Sequence, residues 1–418
     1  AHRDRREVVS VFHLRMLALS IGSSALSLSM SASSERVVIA GAGLHGAATA
    51  YYLTKRGVKP IIVERHSVAA AASGKGGGFL ARDWGSGPTV ALHRKSFALH
   101  EELAKELGIA SYRKIPVLSV TPGSRRDWTT DICPWLDGEI QDSEYMERED
   151  GGGAQVAPLE LCTKLVEAAV AGGAELRIGT VEGVETEADG DGRTLTGVRV
   201  DGAVLPADKL VVTMGPWSAL AADWFGMPVP MTGIKSTSIV FKDATRDVEP
   251  FALFCGEDYR FGTHLEVYPR NSGEVYLCGI GGSEYVTDER LRAGEFPPGE
   301  VHADPARVKA ATDSFSTMSK RLAGEPDVTQ ACMRPCPPDA MPYMGAVPGV
   351  SGAYMSAGHN CWGILWAPVS GLAMSQLLVD GKSSVVDLRP FDPARFMAPK
   401  AKGTRGRKRG EAPVGEQW

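Results

Sequence analysis

The chain has 418 residues, a formal net charge of −5, 43% hydrophobic residues and 23% charged residues. One hydrophobic core rarely serves a chain of this length, so the sequence predicts two domains. The composition is that of a globular protein, and the negative charge predicts no nucleic-acid partner. No apolar run reaches the roughly eighteen residues that span a bilayer, so we expect no transmembrane segment. The 7 cysteines show neither zinc-type spacing nor a disulfide framework, which predicts a reducing compartment and no metal site.

The two ends differ in composition from the middle. Residues 1–34 contain a stretch rich in Ser, Leu and Ala, which is typical of a plastid or mitochondrial transit peptide. The alternative is a disordered or normally untranslated leader, which leaves a cytoplasmic protein. Residues 396–418 include a basic run that is typical of a solvated, disordered tail, with a nuclear or nucleic-acid signal as the alternative interpretation.

The first predicted elements form a nucleotide-binding unit. A β-branched run at residues 36–40 predicts a buried strand, and AATAYYLTKRG predicts a helix. A second strand at residues 60–63 ends at Glu64, which Arg65 follows. The first strand and the helix are joined by a turn with G-x-G-x-x-G spacing, formed by Gly41, Ala42, Gly43, Leu44, His45 and Gly46.

Each part of this motif suits a dinucleotide. Gly41 permits a tight turn, Gly43 lets the backbone approach a pyrophosphate, and Gly46 lets the helix pack on the strand. The helix N-terminus offers N–H groups and a positive dipole end to phosphates. Glu64 is placed to accept hydrogen bonds from ribose hydroxyls, which disfavours a 2′-phosphate but does not distinguish NAD from FAD.

Later segments favour FAD. A Gly-rich loop follows the second strand too closely for a further helical crossover, and it lets backbone pass close to an extended cofactor, with a flexible surface loop as the alternative. A helix at LELCTKLVEAAVAGGA, a strand near residues 175–183 and a strand at residues 210–213 are predicted to return to the first sheet. The nucleotide-binding domain is therefore predicted to be discontinuous. The Gly-rich loop that follows the second strand contains Ser73, Gly76, Gly77 and Gly78.

The motifs together resemble one flavoprotein family. The segments that match are GAGLHG with Glu64, SGKGGGF, VVTMGPWS, HLEVYPRNSGEVYLCG, MRPCPPDAMPYMG and GHNCWGILWAP. They are similar to those of the FAD-dependent amine and amino-acid oxidoreductases, which include D-amino-acid oxidase, glycine oxidase and the sarcosine oxidases. The resemblance implies an α/β fold in which a Rossmann-like FAD-binding domain (residues 35–100, 150–225 and 330–395) precedes and flanks a mixed antiparallel-sheet α+β substrate domain (residues 101–149 and 226–329).

The resemblance also implies which residues bind FAD. They are Gly41, Ala42, Gly43, Leu44, His45, Gly46, Glu64, Arg65, Ser73, Gly76, Gly77, Gly78, Val181, Gly215, Trp217, Gly358, His359, Asn360, Cys361, Trp362, Gly363 and Ile364. Backbone N–H groups at the start of the last helix are expected to stabilise negative charge on the reduced flavin. A non-covalent flavin is expected, with a covalent link through Cys332 as the alternative, since Cys332 matches the flavin-bearing cysteine of sarcosine oxidases.

Arg334 and His359 are the candidate catalytic residues. An arginine offers a planar, permanently charged fork to a carboxylate, and the matching arginine holds the substrate carboxylate in the amino-acid oxidases that the chain resembles. The alternative is a structural Arg334 paired with Asp339. His359 is a candidate base, although the resemblance favours a positioning role. Further aromatic candidates for the pocket are Trp84, Trp362, Tyr259, Tyr276 and Tyr285.

The sequence thus predicts an FAD-dependent oxidoreductase that oxidises a C–N bond of a small amino acid or N-methyl amine by hydride transfer to flavin N5. The imine would hydrolyse, and O2 or an unknown carrier would reoxidise the flavin. The alternative is an FAD-binding regulatory or trafficking factor with little or no turnover, resembling fungal oxidoreductases that share the Gly-rich loop and the GHNCWGI segment. A nucleic-acid-linked flavoprotein is a third hypothesis, for which the basic tail is the only support.

Overall fold

The computed structural model describes residues 35–124, 132–242, 249–322 and 324–397. The described residues belong to one compact unit. The predicted leader and the basic run of the tail lie outside the described residues, so both interpretations stay predictions.

Eight α-helices and twenty-one strands are assigned within the described residues. The helices are α1 (Leu44–Thr54), α2 (Ala72–Lys75), α3 (Thr89–Leu107), α4 (Pro158–Ala171), α5 (Ala221–Phe225), α6 (Asp288–Arg292), α7 (Pro305–Met318) and α8 (Gly363–Asp380). Short 3-10 helices occupy Gly215–Leu220, Asn360–Trp362, Arg389–Phe391 and Pro393–Phe396. The strands are β1 (Val37–Ala40), β2 (Ile61–Glu64), β3 (Phe79–Ala81), β4 (Arg113–Lys114), β5 (Val117–Pro122), β6 (Ile140–Glu147), β7 (Gly153–Gln155), β8 (Glu175–Ile178), β9 (Val181–Asp189), β10 (Gly192–Val200), β11 (Ala203–Pro206), β12 (Lys209–Val212), β13 (Thr232–Phe241), β14 (Ala252–Cys255), β15 (Glu266–Pro269), β16 (Val275–Cys278), β17 (Glu284–Val286), β18 (Val328–Cys336), β19 (Tyr343–Ala346), β20 (Val350–Ser351) and β21 (Ala353–Ala357).

A six-stranded sheet carries the glycine turn. Its order is β19-β21-β12-β1-β2-β8, and all pairs are parallel except β19 with β21. Val37 and Ile39 of β1 pack into a core with the helices, whereas Val38 and Ala40 pack into a second core on the other face. Burial on both faces explains why β1 reads as a continuous apolar run. As predicted, the chain returns to this sheet from distant segments, through β8 and β12.

A second, eight-stranded mixed sheet is built from other segments of the chain. Its path is β17-β13-β16-β15-β14-β5-β6, and β18 also pairs with β13. All of its pairs are antiparallel except β14 with β5. The predicted fold class, a Rossmann-like sheet combined with a mixed antiparallel sheet, is confirmed. β18, however, pairs with this sheet although residues from 330 onward were grouped with the FAD-binding domain, and the domain boundaries stay predictions.

Helix α8 is the apolar core helix of the fold. Within the described part of the chain, Asn360–Asp380 is the one helical segment long and apolar enough to cross a membrane by length and composition, and 61% of its most apolar window is buried. A Cβ atom added at Gly371 would lie 2.5 Å from the carbonyl carbon of Ala48. Gly371 therefore lets α8 approach α1 closely, as expected of a buried helix–helix contact.

A buried histidine joins α3 to the start of α8. His100 Nε2 lies 3.1 Å from the carbonyl oxygens of both Ile364 and Leu365. Burial lowers the pKa of His100 from 6.5 to about 4, although these carbonyls act in the opposite direction. His100 is therefore a neutral hydrogen-bond donor in the folded protein near neutral pH.

We expect the free energy of unfolding to fall as pH drops from about 6.5 to about 4, because the unfolded chain then protonates His100 and the folded chain does not. This loss of stability from His100 is absent above pH 6.5 and complete below pH 4, where it amounts to at most about 3 kcal/mol. Urea denaturation at pH 7 and pH 5 measures it. His100→Gln should weaken the pH dependence, whereas His302→Gln, at an exposed site, should not. Equal pH dependence in all three proteins would contradict this account.

Candidate active site

A cavity of about 1040 Å³ lies where the glycine turn and the eight-stranded sheet meet. Its lining comes from the turn after β1, the end of β2, the loop around α2 and the start of α8, together with strands β13, β15, β16 and β18. The volume is at the upper end for small-molecule sites, which suits an extended cofactor and a small substrate together.

Most of the predicted FAD-site residues line this one cavity. They are Gly41, Gly43, Leu44, His45, Glu64, Arg65, Ser73, Gly76, Gly77, Gly78, Val181, Gly215, Trp217, His359, Asn360, Cys361, Trp362, Gly363 and Ile364. The cavity lining does not include Ala42, Gly46 or Gly358, which instead shape the adjacent backbone. The roles of all these residues toward FAD stay predictions.

The glycine turn is built so closely that side chains do not fit. Gly41 has φ +105, and a Cβ atom there would lie 2.8 Å from the carbonyl oxygen of Thr213. A Cβ atom at Gly43 would lie 3.0 Å from Ser73 Oγ, and Ser73 Oγ itself accepts a hydrogen bond from the N–H of Leu44. The turn and the Gly-rich loop are therefore in contact at the N-terminus of α1. The N–H groups of a helix N-terminus suit a phosphate.

Glu64 links the end of β2 to the turn. Its Oε2 accepts a hydrogen bond from the N–H of Ala42 at 2.8 Å, and its Oε1 accepts one from the N–H of His66 at 3.0 Å. Two carboxylate oxygens offer about four acceptor sites. The side chain, which lines the cavity, can therefore still accept hydrogen bonds from hydroxyl groups.

The chain turns sharply between β21 and α8. Gly358 and Asn360 both have positive φ, at +80 and +52, and asparagine tolerates this region better than most residues. A Cβ atom at Gly358 would lie 2.6 Å from Pro337, so glycine is required there on steric grounds too. The turn brings Trp362 and the first residues of α8 to the cavity.

Two histidines stack within this region. The rings of His45 and His359 have centroids 3.4 Å apart and an interplanar angle of 15°. Burial lowers the pKa of His45 to about 3, and burial together with His45 lowers the pKa of His359 well below its ordinary value. His359 Nε2 lies 3.1 Å from Ser370 Oγ. Both rings are therefore neutral near pH 7, which suits positioning rather than proton exchange.

The residues present fit FAD. The turn excludes side chains where a pyrophosphate would approach, and a carboxylate lies at the end of the second strand. The Nδ1 atoms of His45 and His359 are buried and have no hydrogen-bond partner among the described residues. Because buried polar atoms are usually paired, these atoms point to a bound polar group.

Arg334 enters the cavity from β18. In the strand register it lies opposite Ile234 of β13, and it lines the cavity. Among the described residues no carboxylate forms a salt bridge with it, and Asp339 pairs with Arg395 at 2.7 Å instead. Burial opposes the guanidinium charge, but the surrounding thiols and the Glu266 carboxylate favour it, and the net pKa of Arg334 is raised. The site thus holds a permanent cation without an ion-pair partner from the described chain.

The polar face of the eight-stranded sheet was not predicted from the sequence. Glu266 of β15 and Cys278 of β16 lie opposite one another and line the cavity, and neither was selected as a candidate. Tyr268, regarded only as part of a matching strand, also lines the cavity. The alternation of side chains along β15 would have placed Glu266 and Tyr268 on one face. Only the strand register shows that this face is shared with Arg334.

The aromatic candidates divide between cavity and surface. Trp84, Trp362, Tyr276 and Tyr285 line the cavity, whereas Tyr259 is 85% exposed and is not part of its lining. Trp84 and Trp362 meet edge to face, with ring centroids 6.2 Å apart. An aromatic wall of this kind favours a flat or cationic ligand.

Cys332 also lines the cavity. Burial raises the pKa of its thiol, although Arg334 and Lys75 act in the opposite direction. The residue is therefore a neutral thiol near pH 7 in the protein alone, and the covalent flavin link stays a prediction. No group of three or more metal-ligating side chains occurs among the residues that the structure describes.

Comparison with known proteins identifies the class. The sequence profile of the FAD dependent oxidoreductase (DAO) family matches residues 36–377. A glycine oxidase of Pseudomonas aeruginosa is 26% identical over 392 residues, which cover 86% of this chain and 99% of the relative. The uncharacterized oxidoreductase YurR of Bacillus subtilis is 24% identical, with coverage of 86% and 99%. The crystal structure of glycine oxidase from Geobacillus kaustophilus has a TM-score of 0.70 at 22% identity, covering 86% of this chain and 98% of that one.

The match of the family profile gives the class of the protein, an FAD-dependent oxidoreductase. Since its profile matches well over half of the chain, this protein belongs to the DAO family of FAD dependent oxidoreductases. The predicted family and cofactor are thereby confirmed.

Proposed function

We propose that the protein oxidises the C–N bond of a small amino acid or N-methyl amino acid, with Arg334 binding the substrate carboxylate. The observation that carries the proposal is the Arg334 guanidinium, which forms no salt bridge with a described carboxylate and lines the same cavity as the glycine turn. An arginine fork binds a carboxylate through two parallel hydrogen bonds. The glycine oxidase relatives support a substrate of this class.

Each part of the site has a distinct task in this reaction. The glycine turn, Glu64 and the loop from Ser73 to Gly78 would hold FAD, which supplies the hydride acceptor when bound. Arg334 orients the substrate carbon by holding the carboxylate. The aromatic wall of Phe79, Trp84 and Trp362 excludes water from the reacting bond. The imine product would hydrolyse in water, and O2 or a carrier would take up the electrons that bound FAD would receive.

The visible spectrum of the purified holoprotein tests the proposal. We expect the flavin bands to bleach after anaerobic addition of a mixture of D-amino acids, glycine and sarcosine, and dividing the mixture then identifies the substrate. Reduction with dithionite in a parallel sample shows the full extent of bleaching. Admission of air to the bleached sample, with oxygen consumption recorded, distinguishes an oxidase from a dehydrogenase that uses a carrier.

The alternative is an FAD-binding regulatory or trafficking factor with little turnover. It predicts flavin bands that dithionite bleaches and that no amine or amino acid in the mixture changes. That result would contradict the proposed oxidation of these substrates.

A further inference from the structure

The carboxylate of Glu266 is fixed at one oxygen and available at the other. Its Oε2 accepts hydrogen bonds from Tyr268 Oη at 2.5 Å and from Cys278 Sγ at 3.4 Å. No described residue donates a hydrogen bond to Oε1. Because a carboxylate carries acceptor sites on both oxygens, Glu266 offers Oε1 to a ligand in the cavity that it lines.

Among the titratable groups that interact electrostatically with Glu266, Arg334 is the permanent cation. The groups of its own and the neighbouring elements that interact electrostatically with Glu266 are Tyr268, Cys278, Cys255, Cys361 and Arg334. Burial raises the pKa of the phenol and of the three thiols, so these four are neutral near pH 7. Glu266 lies close enough to Arg334 to favour the guanidinium charge, but no salt bridge joins these two described residues. The cavity lining thus contains a guanidinium and a carboxylate that are not joined by a salt bridge.

This arrangement matches a zwitterion. A carboxylate that binds Arg334 leaves the ammonium group of the same small molecule to be bound elsewhere, and Glu266 is the carboxylate on the sheet face that Arg334 shares. We propose that Glu266 binds the substrate nitrogen and removes its ammonium proton, as a catalytic residue of the reaction. The inference rests on the proposed function and assigns its base.

The proton must leave before the carbon is oxidised. An ammonium nitrogen has no lone pair, so it cannot form the C=N bond as the adjacent carbon loses hydride. Glu266 Oε1 takes the proton, and the N–H electron pair stays on nitrogen. Bound FAD would supply the hydride acceptor, and the nitrogen lone pair freed by Glu266 would form the C=N bond of an iminium ion as the carbon loses its hydrogen with both electrons. The proton on Glu266 returns to water as the product leaves.

Two ligands of the same shape test the charge preference without turnover. N,N,N-trimethylglycine and 3,3-dimethylbutanoate differ in one atom, a positive nitrogen in place of a neutral carbon beside the same carboxylate. We expect the trimethylglycine to bind the holoprotein about tenfold more tightly, because its cation lies near Glu266 in a partly dry site. Titration of the visible flavin spectrum measures both dissociation constants.

The outcomes separate the inference from the function on which it rests. Equal affinities would overturn the role of Glu266 and leave the carboxylate site at Arg334 intact. Failure of both ligands to bind would overturn the carboxylate site and the inference with it. Tighter binding of trimethylglycine in a protein whose flavin no amino acid bleaches would support the charge pair and contradict the oxidation.

Glu266→Gln tests proton removal. The amide can still accept the Tyr268 hydroxyl but cannot take a proton. We expect anaerobic flavin reduction at neutral pH to slow by about 100-fold or more, and to recover as pH rises, because the free amine then forms in solution. The preference for trimethylglycine should also disappear. Glu144→Gln, an exposed glutamate on β6 of the same sheet, is the control and should behave as the unmodified protein does.

An unchanged reduction rate and an unchanged pH profile in Glu266→Gln would overturn the proposal. If that variant does not retain FAD, the ligand pair on the unmodified holoprotein decides the question alone, because its readout needs no substitution.

Discussion

Replacement of Arg334 by alanine should weaken binding of the carboxylate substrate by about 100-fold or more while FAD remains bound. Truncating one partner of a buried, hydrogen-bonded charge pair costs roughly 2–5 kcal/mol, which corresponds to this factor. The effect is large because Arg334 would no longer offset the Glu266 carboxylate, which would then repel the carboxylate of the substrate. The dissociation constant comes from the substrate dependence of anaerobic flavin reduction.

Two further variants make the result specific. Arg334→Lys keeps the charge but loses the planar fork, so its loss should lie between those of the alanine variant and the unmodified protein. Arg94→Ala removes an exposed arginine that pairs with Asp83 at 2.9 Å, and it should have no effect on substrate affinity. Unchanged affinity in Arg334→Ala with FAD retained would place the carboxylate elsewhere.

The nucleotide-binding part of the fold was predictable because its signals are local. The strand, glycine turn, helix and terminal acid follow one another within residues 36–64, and each has its own physical requirement. The structure gives β1, α1 and β2 within a few residues of the predicted bounds. Burial of β1 on both faces also accounts for the pattern that suggested a buried parallel strand.

The contacts that hold the Gly-rich loop against the eight-stranded sheet could not be predicted from the sequence. Arg270 was expected only as part of a matching strand, but its Nη2 donates a hydrogen bond to the carbonyl oxygen of Gly76 at 2.9 Å. Gly77 lies so close to Tyr268 that a Cβ atom would lie 2.5 Å from the ring. These contacts join residues almost 200 positions apart, and no local pattern reports them.

The polar face of the eight-stranded sheet shows the same limit. Arg334 was predicted because its segment resembles a known motif, whereas Glu266 lies in another matching segment, HLEVYPRNSGEVYLCG, and was not selected as a candidate. A strand pattern gives the spacing of side chains on one face but not the neighbouring strand. The pairing of β15 with β16, and of β13 with β18, brings that face together. Register is therefore the information that the sequence alone lacked.

Gly46→Ala should weaken FAD binding by about ten- to a hundredfold, because the added methyl group has no space. A Cβ atom at Gly46 would overlap the carbonyl oxygen of Gly41 and lie 2.7 Å from Thr213 Oγ1. Both neighbours are held: Thr213 Oγ1 donates a hydrogen bond to the carbonyl oxygen of Ala40 at 2.7 Å, and the Gly41 N–H donates one to Val63. Overpacking of this kind costs roughly 1–3 kcal/mol, and here it displaces the N-terminus of α1 from the phosphate position. The flavin content of the purified protein and titration of the apoprotein with FAD measure the loss.

Gly324→Ala is the matched control for this substitution, because a Cβ atom at Gly324 meets nothing within 4 Å. Both variants replace one glycine by alanine, so both lower the conformational entropy of the unfolded chain by a similar amount. A difference between them in FAD affinity therefore reports the crowded turn alone. Equal, undiminished affinity in both would mean that α1 can move away from β1 without loss of the cofactor site, which contradicts the close packing at Gly41 and Thr213.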